Sequence, residues 1–224
     1  MNCIAHRGFA GVNPENTLAA VRDAVERRDD TGRADAVEVD VRRCGSGELV
    51  ACHDATVDRT TDGSGAVGDH TAGELAALSV EGSDAGVPTA RSVLEAVPEG
   101  VVCHAELKER VGAGLETLVA DVDPDCEVVV SSFDADALAG VDSPPRAWLV
   151  VEAAGAVDRA LELDCEALHP AVDVCDRALV ERAHDAGLAV NAWTVTDPAE
   201  TRRLRNLSVD GVITDFPGCC PARG

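Results

Sequence analysis

The sequence predicts a compact TIM-type (β/α)8 barrel, an α/β fold, as a single domain over residues 1–224. Three observations carry that prediction. Short apolar runs alternate with amphipathic or Ala-rich segments, the order of parallel βα units. The chain of 224 residues holds eight such units near the lower size limit of that fold. Polar residues gather just past the ends of the apolar runs, where barrels carry their functional groups. An open doubly wound sheet is the competing architecture, but no G-x-G-x-x-G follows the first run.

The strand-like runs cover 2–5, 36–41, 101–107, 127–132, 147–151, 167–169, 188–195 and 211–214. Helical patterns cover 17–28, 90–96, 113–121, 135–139, 156–163, 176–186 and 198–207. Asn16 and Thr17 suit the cap of the first helix and Asp134 that of the helix at 135. Asp197-Pro198 gives a cap followed by proline at the first helical position. Gly187 fits the position just past a helix end. Residues 44–70 read as irregular, with a hairpin turn at Gly45-Ser46-Gly47 after which a short strand, 49–52, leads into His53-Asp54.

Composition narrows the class. Apolar residues make up 46% but aromatics only 2%, so the core is built from Ala, Val and Leu. The net charge of −22 is spread along the chain and repels nucleic acid and anionic membranes. An acidic, Lys-poor chain of this kind suits a high-salt, halophilic cytoplasm, where the Debye length falls to about 3 Å at 1 M. No apolar leader-like stretch and no membrane-length run is seen, which predicts a cytoplasmic protein without stable membrane association. The composition leaves the oligomeric state open. Nine cysteines form no C-x-x-C pair, and several lie in apolar runs as small hydrophobes. A Cys44–Cys52 bridge is conceivable, with no motif to support it.

Glu38 and Asp40 stand two apart in Val37-Glu38-Val39-Asp40-Val41, so both carboxylates share one face. If that face is the barrel axis, a third carboxylate at Glu106 makes a set that needs a cation. Oxygen donors favour Mg2+, Ca2+ or Mn2+. A solvent-facing edge strand gives the same alternation. The chain's one lysine, Lys108, follows Glu106 by two residues and suits a phosphoryl oxygen as a point charge. His6 and His53 each follow a strand and can move protons near neutrality, although a lone histidine is more often structural. Arg7 can hold an anionic oxygen, or simply form a surface ion pair. His70, His104 and His184 are read as structural.

Taken together, His6-Arg7-Gly8, Pro14-Glu15-Asn16-Thr17, Glu38-x-Asp40, His53-Asp54 and Asp58-Arg59-Thr60-Thr61-x-Gly63 resemble the glycerophosphodiester phosphodiesterase family. Glu106-x-Lys108, Ala192-Trp193-Thr194-Val195 and Asp210-Gly211-Val212-Ile213-Thr214-Asp215-x-Pro217 continue the match in order. The resemblance implies a barrel hydrolase that cleaves small-molecule glycerophosphodiesters to sn-glycerol 3-phosphate and an alcohol. It implies a divalent metal, Mg2+ or Ca2+ with Mn2+ as a further choice, on Glu38, Asp40 and Glu106. It makes His6 and His53 the acid/base pair, and Arg7 and Lys108 phosphate contacts. Trp193 offers an apolar wall for the glycerol, or packing alone, and Glu15 either reaches the site or, the reading preferred here, supports the first helix. Two other readings fit the barrel. One is lysophospholipase D-like cleavage of a lipid, which predicts an apolar rim that sparse aromatics and acidic charge argue against. The other is a non-catalytic phosphodiester-binding barrel.

Overall fold

The computed structural model describes residues 1–26 and 33–222. Its strands are β1 (Asn2–Ala5), β2 (Ala36–Arg43), β3 (Leu49–Ala51), β4 (Val102–Leu107), β5 (Glu127–Ser132), β6 (Arg146–Val150), β7 (Ala167–Pro170), β8 (Ala189–Val195) and β9 (Gly211–Thr214). The helices are α1 (Leu18–Glu26), α2 (Ala72–Ala76), α3 (Ala90–Ala96), α4 (Gly112–Val122), α5 (Ala135–Leu138), α6 (Ala156–Glu162), α7 (Arg177–Asp185) and α8 (Pro198–Asn206).

The sheet closes. Strands run β1-β9-β8-β7-β6-β5-β4-β2 in parallel, and β1 pairs again with β2. Among the described strands only β3 is antiparallel, folded back on β2 as a hairpin outside the ring. Eight parallel strands therefore form the predicted (β/α)8 barrel. The predicted strands and helices appear with ends shifted by one or two residues. The expected extension of the first helix to residue 28 lies outside the described residues.

Local chemistry explains the element ends. Thr17 Oγ1 accepts from Ala20 N at 3.2 Å, opening α1. Asp134, Asp176 and Asp197 cap α5, α7 and α8 through their carboxylates. Gly187 takes φ +81° past α7, where a side chain would be strained.

Most of the apolar core lies between sheet and helices. Val37, Val39 and Val41 of β2 face outward to that layer, joined by Leu107, Leu115, Leu138, Leu179 and Leu204. Ile4, Ala36 and Ile213 make a smaller apolar plug within the barrel. The stretch read as irregular is packed. Val50, Cys52, Val57, Val67, Leu75 and Val87 form a core of their own beneath the β2–β3 hairpin, and α2 caps it. That helix begins with a full Thr71/Glu74 capping box.

The cysteine expectation is corrected. Cys44 and Cys52 are buried and unpaired, whereas Cys3 of β1 is bonded to Cys220. The bridge joins residues 217 apart in sequence and ties the chain end to the first strand. The other seven thiols are free and buried. Among the described residues no helix is long and apolar enough to cross a membrane.

Candidate active site

The three acidic residues converge at the carboxyl ends of β2 and β4. Register pairs Asp40 with Glu106, two residues further along the strands than the Glu38–His104 pair. Glu38, Asp40 and Glu106 are buried, and each offers an oxygen within 4.8 Å of the others. Glu38 Oε1 is buried with no hydrogen-bond partner. Burial, then the charges of Asp40 and Glu106, push the Glu38 carboxyl up to about 8. Burial and Asp40 raise Glu106 as well. Asp40 goes the other way: burial opposes its charge, but Arg7 and Lys108 outweigh it. Three crowded carboxylates with a vacant buried oxygen form a donor set that fits a hard divalent cation.

Two histidines flank this cluster, each gripped by its own carboxylate. His6 follows β1, with Nδ1 2.6 Å from Asp215 Oδ1 and Nε2 3.9 Å from Glu38. Burial alone lowers its pKa, but the Asp215 bond and the Glu38 charge raise it above 6.5. His53 follows β3, with Nδ1 2.5 Å from Asp54 Oδ1. Cys52 N donates to Asp40 O at 3.0 Å, which seats the His53 turn beside the acidic cluster. In both cases a carboxylate at Nδ1 leaves Nε2 free to exchange protons with a substrate.

The cations are held by the same groups. Arg7 sits at φ +49°, with Nε 3.0 Å from Asp40 and Nη1 3.3 Å from Glu15. Gly8 permits this turn, since a Cβ there would lie 2.6 Å from Ala20 Cβ. Lys108 Nζ lies 3.1 Å from Asp40 and also pairs with Glu106. Asn16, at φ +59°, clamps Asp40 from both sides: its Nδ2 donates to the carboxylate at 2.8 Å and its Oδ1 accepts from the Asp40 amide. Glu15 acts as a strut between Arg7 and Arg59, and Arg59 Nε reaches Asp54. Arg59 is the main cause that holds the Asp54 carboxyl down at about 2.

A cleft of 20 Å³, room for about one water or ion, opens among His6, Glu38, Glu106, Ser131, His169 and Trp193. Trp193 is therefore a wall of the site, anchored by its Nε1 donating to His169 O at 2.7 Å. Below lies a neutral polar layer. His169 bonds Asn191 at 3.1 Å and faces His104 at 5.5 Å between ring centroids. Burial pushes His104 down to about 4 and His169 well below 6.5.

All eight predicted site residues thus gather at one barrel mouth. The prediction gave no site role to Asp54, Asp215, Arg59 or His169, and gave Asn16 only a helix cap. The first two were legible in part, as carboxylates directly after His53 and after the last strand.

Comparison with known proteins decides the family. The model of the glycerophosphoryl diester phosphodiesterase family matches residues 6–219. The chain belongs to that family. It is a phosphoric diester hydrolase by membership. A glycerophosphodiester phosphodiesterase of Caldanaerobacter subterraneus subsp. tengcongensis is 32% identical, covering 96% of this chain and 93% of its own. A phosphodiesterase of Oleispira antarctica, solved with the product sn-glycerol-3-phosphate, superposes with TM-score 0.86 at 30% identity over 97% and 94% of the two chains. The glycerophosphodiester phosphodiesterase of Thermotoga maritima gives 0.82 at 28% over 97% and 96%.

Proposed function

We propose that this enzyme hydrolyses glycerophosphodiesters to sn-glycerol 3-phosphate and an alcohol, with His6 and His53 as its acid/base pair. The observation that carries this reading is the pair of carboxylate-oriented histidines set around one buried acidic cluster. Family membership and the product-bound relative support the substrate class.

Glu38, Asp40 and Glu106 would hold a divalent cation, Mg2+ or Ca2+ with Mn2+ a further choice. Bound there, it supplies positive charge to the phosphoryl oxygens as they gain negative charge. Arg7 and Lys108 add fixed charge on the same face. The glycerol hydroxyl next to the phosphate is the nucleophile. One histidine takes its proton as it attacks phosphorus, and the other gives a proton to the departing alcohol oxygen. Water then opens the resulting cyclic phosphate with the two roles exchanged. No side chain forms a covalent bond to substrate. Trp193 shields the glycerol from bulk water. Seven unpaired thiols favour a cytoplasmic location, and the single Cys3–Cys220 bridge is the one feature that points the other way.

The test is release of glycerol 3-phosphate from glycerophosphocholine and glycerophosphoethanolamine in high-salt buffer, with Mg2+ or Ca2+ and again with EDTA. Release that EDTA abolishes is expected. His6→Ala and His53→Ala should each lose roughly 100- to 10,000-fold in rate. Either variant keeping full metal-dependent activity refutes the acid/base assignment.

A further inference from the structure

We propose that Arg59 and Glu15 are positioning residues for the hydrolysis. Arg59 braces the His53 turn against Glu15, and Glu15 shares its carboxylate with the Arg7 arm. The role rests on the phosphodiesterase reading, in which His53 moves protons and Arg7 meets the phosphate.

The two histidines are held differently. His6 follows the inner strand β1, and its side chain is 14% exposed. His53 stands on the turn after β3, outside the ring, with 32% of its side chain exposed. Backbone contacts place the start of that turn. Cys52 N donates to Asp40 O at 3.0 Å, and His53 O accepts from Arg42 Nε at 2.9 Å. These bonds seat the chain and leave the ring to Asp54, itself partly exposed. A carboxylate orients a ring only as well as it is held in its own turn.

Arg59 holds it. Asp54 turns Oδ1 to His53 and Oδ2 to Arg59 Nε, each at 2.5 Å. The other two nitrogens of Arg59 fork onto Glu15, Nη1 at 3.0 Å and Nη2 at 2.7 Å. One guanidinium therefore spans the His53 turn and the loop before α1, 44 residues apart in sequence. Glu15 is buried and also accepts from Arg7 Nη1 at 3.3 and 3.4 Å. Its charge lets two guanidinium groups lie close together, and they in turn offset its desolvation. From Asp54 through Arg59, Glu15 and Arg7 to Asp40 the ion pairs are unbroken. Arginine is the side chain this bridge requires. A lysine carries the charge but has no planar fork to grip two carboxylates at fixed angles.

Double-variant kinetics on glycerophosphocholine with added Mg2+ tests the bridge. Arg59→Gln should lower kcat by about 10- to 100-fold, the usual loss when an orienting partner is removed, with KM nearly unchanged. In an Asp54→Asn background it should cost nothing further, because it acts through Asp54. In an Asp215→Asn background it should cost its full factor, because His6 is held separately. Equal factors in both backgrounds would mark a general packing defect and overturn the proposal. Arg59→Lys should lose as much as Arg59→Gln, and wild-type kcat in the lysine variant also overturns it. Glu15→Gln should lower kcat through Arg59 and raise KM through Arg7. In an Arg59→Gln background only the rise in KM should remain, and a further kcat loss there refutes the shared carboxylate.

Hydrogen exchange reads the same bridge without turnover. Amides of residues 53–62 should exchange faster in Arg59→Gln and Glu15→Gln than in wild type, and at the wild-type rate in Asp215→Asn. Unchanged exchange in all three overturns the brace. Faster exchange in the two bridge variants, with no diester hydrolysed by the wild type, keeps the brace and removes the phosphodiesterase reading. Hydrolysis of glycerophosphocholine that neither Arg59→Gln nor Glu15→Gln alters does the reverse.

Discussion

At the scale of single residues, the site depends on carboxylates that touch no substrate. Asp215 and Asp54 each fix one histidine through Nδ1. An amide in either place can still bond the ring but no longer stabilises an imidazolium. Asp54→Asn and Asp215→Asn should therefore lower kcat by about 10- to 100-fold, the usual cost of removing an orienting partner, and leave KM nearly unchanged. Steady-state kinetics separates this from a packing defect, which would move KM or the melting temperature. Equal losses in kcat and in affinity would show that these carboxylates do not work through the histidines. The pairing itself was half legible. Adjacency to His53 makes Asp54 readable in principle, but nothing in the sequence states that Asp215, 209 residues from His6, closes on the His6 ring. Asn16 was legible only as a helix cap. Its left-handed backbone and double clamp on Asp40 need the fold to be seen.

Among elements, the strands were the most readable part, because strands of a parallel barrel are buried on both faces and appear as short apolar runs. Periodicity showed that Glu38 and Asp40 share a face but could not say which face meets the axis. Barrel closure, given by the β1–β2 pairing, decides it. The same limit hid the His104, His169 and Asn191 layer, which alternation alone places equally well outside. Helix α2, five residues long, was missed although its Thr71/Glu74 capping box stands in the sequence, whereas the four-residue α5 was found with its Asp134 cap. The turn from β1 into α1 is tight. Gly8 has φ +77°, and an added Cβ would press on the Ala20 side chain and carbonyl carbon. Gly8→Ala should cost about 1–3 kcal/mol in unfolding free energy and displace His6 and Arg7. Urea melts and activity should fall together. A variant of wild-type stability would mean that the turn relaxes without strain.

For the whole molecule, pH and salt act on different charges. His169 is buried neutral in the barrel, with a pKa held well below 6.5 by burial and then by His104. In the unfolded chain it takes up a proton near 6.5, so below that pH the unfolded state binds more protons and stability falls as pH falls. Above 6.5 both states are neutral and the group contributes no slope. The loss is about 1.4 kcal/mol per pH unit below 6.5, and His169→Asn should remove that share from a stability profile measured between pH 7 and about 5. An unchanged profile would show that His169 is charged in the fold. Salt addresses the 41 acidic side chains against 19 basic ones. Their mutual repulsion acts over about 10 Å at 0.1 M salt but about 3 Å at 1 M. The exposed ion pairs contribute little individually, so screening them costs less than the relief of net repulsion. The melting temperature should therefore rise steadily from dilute buffer into molar KCl and rise similarly in NaCl, since screening depends on ionic strength and not on the cation. A rise only with divalent salts would instead locate the stabilisation at Glu38, Asp40 and Glu106, and a fall with KCl would show that the ion pairs outweigh the net charge.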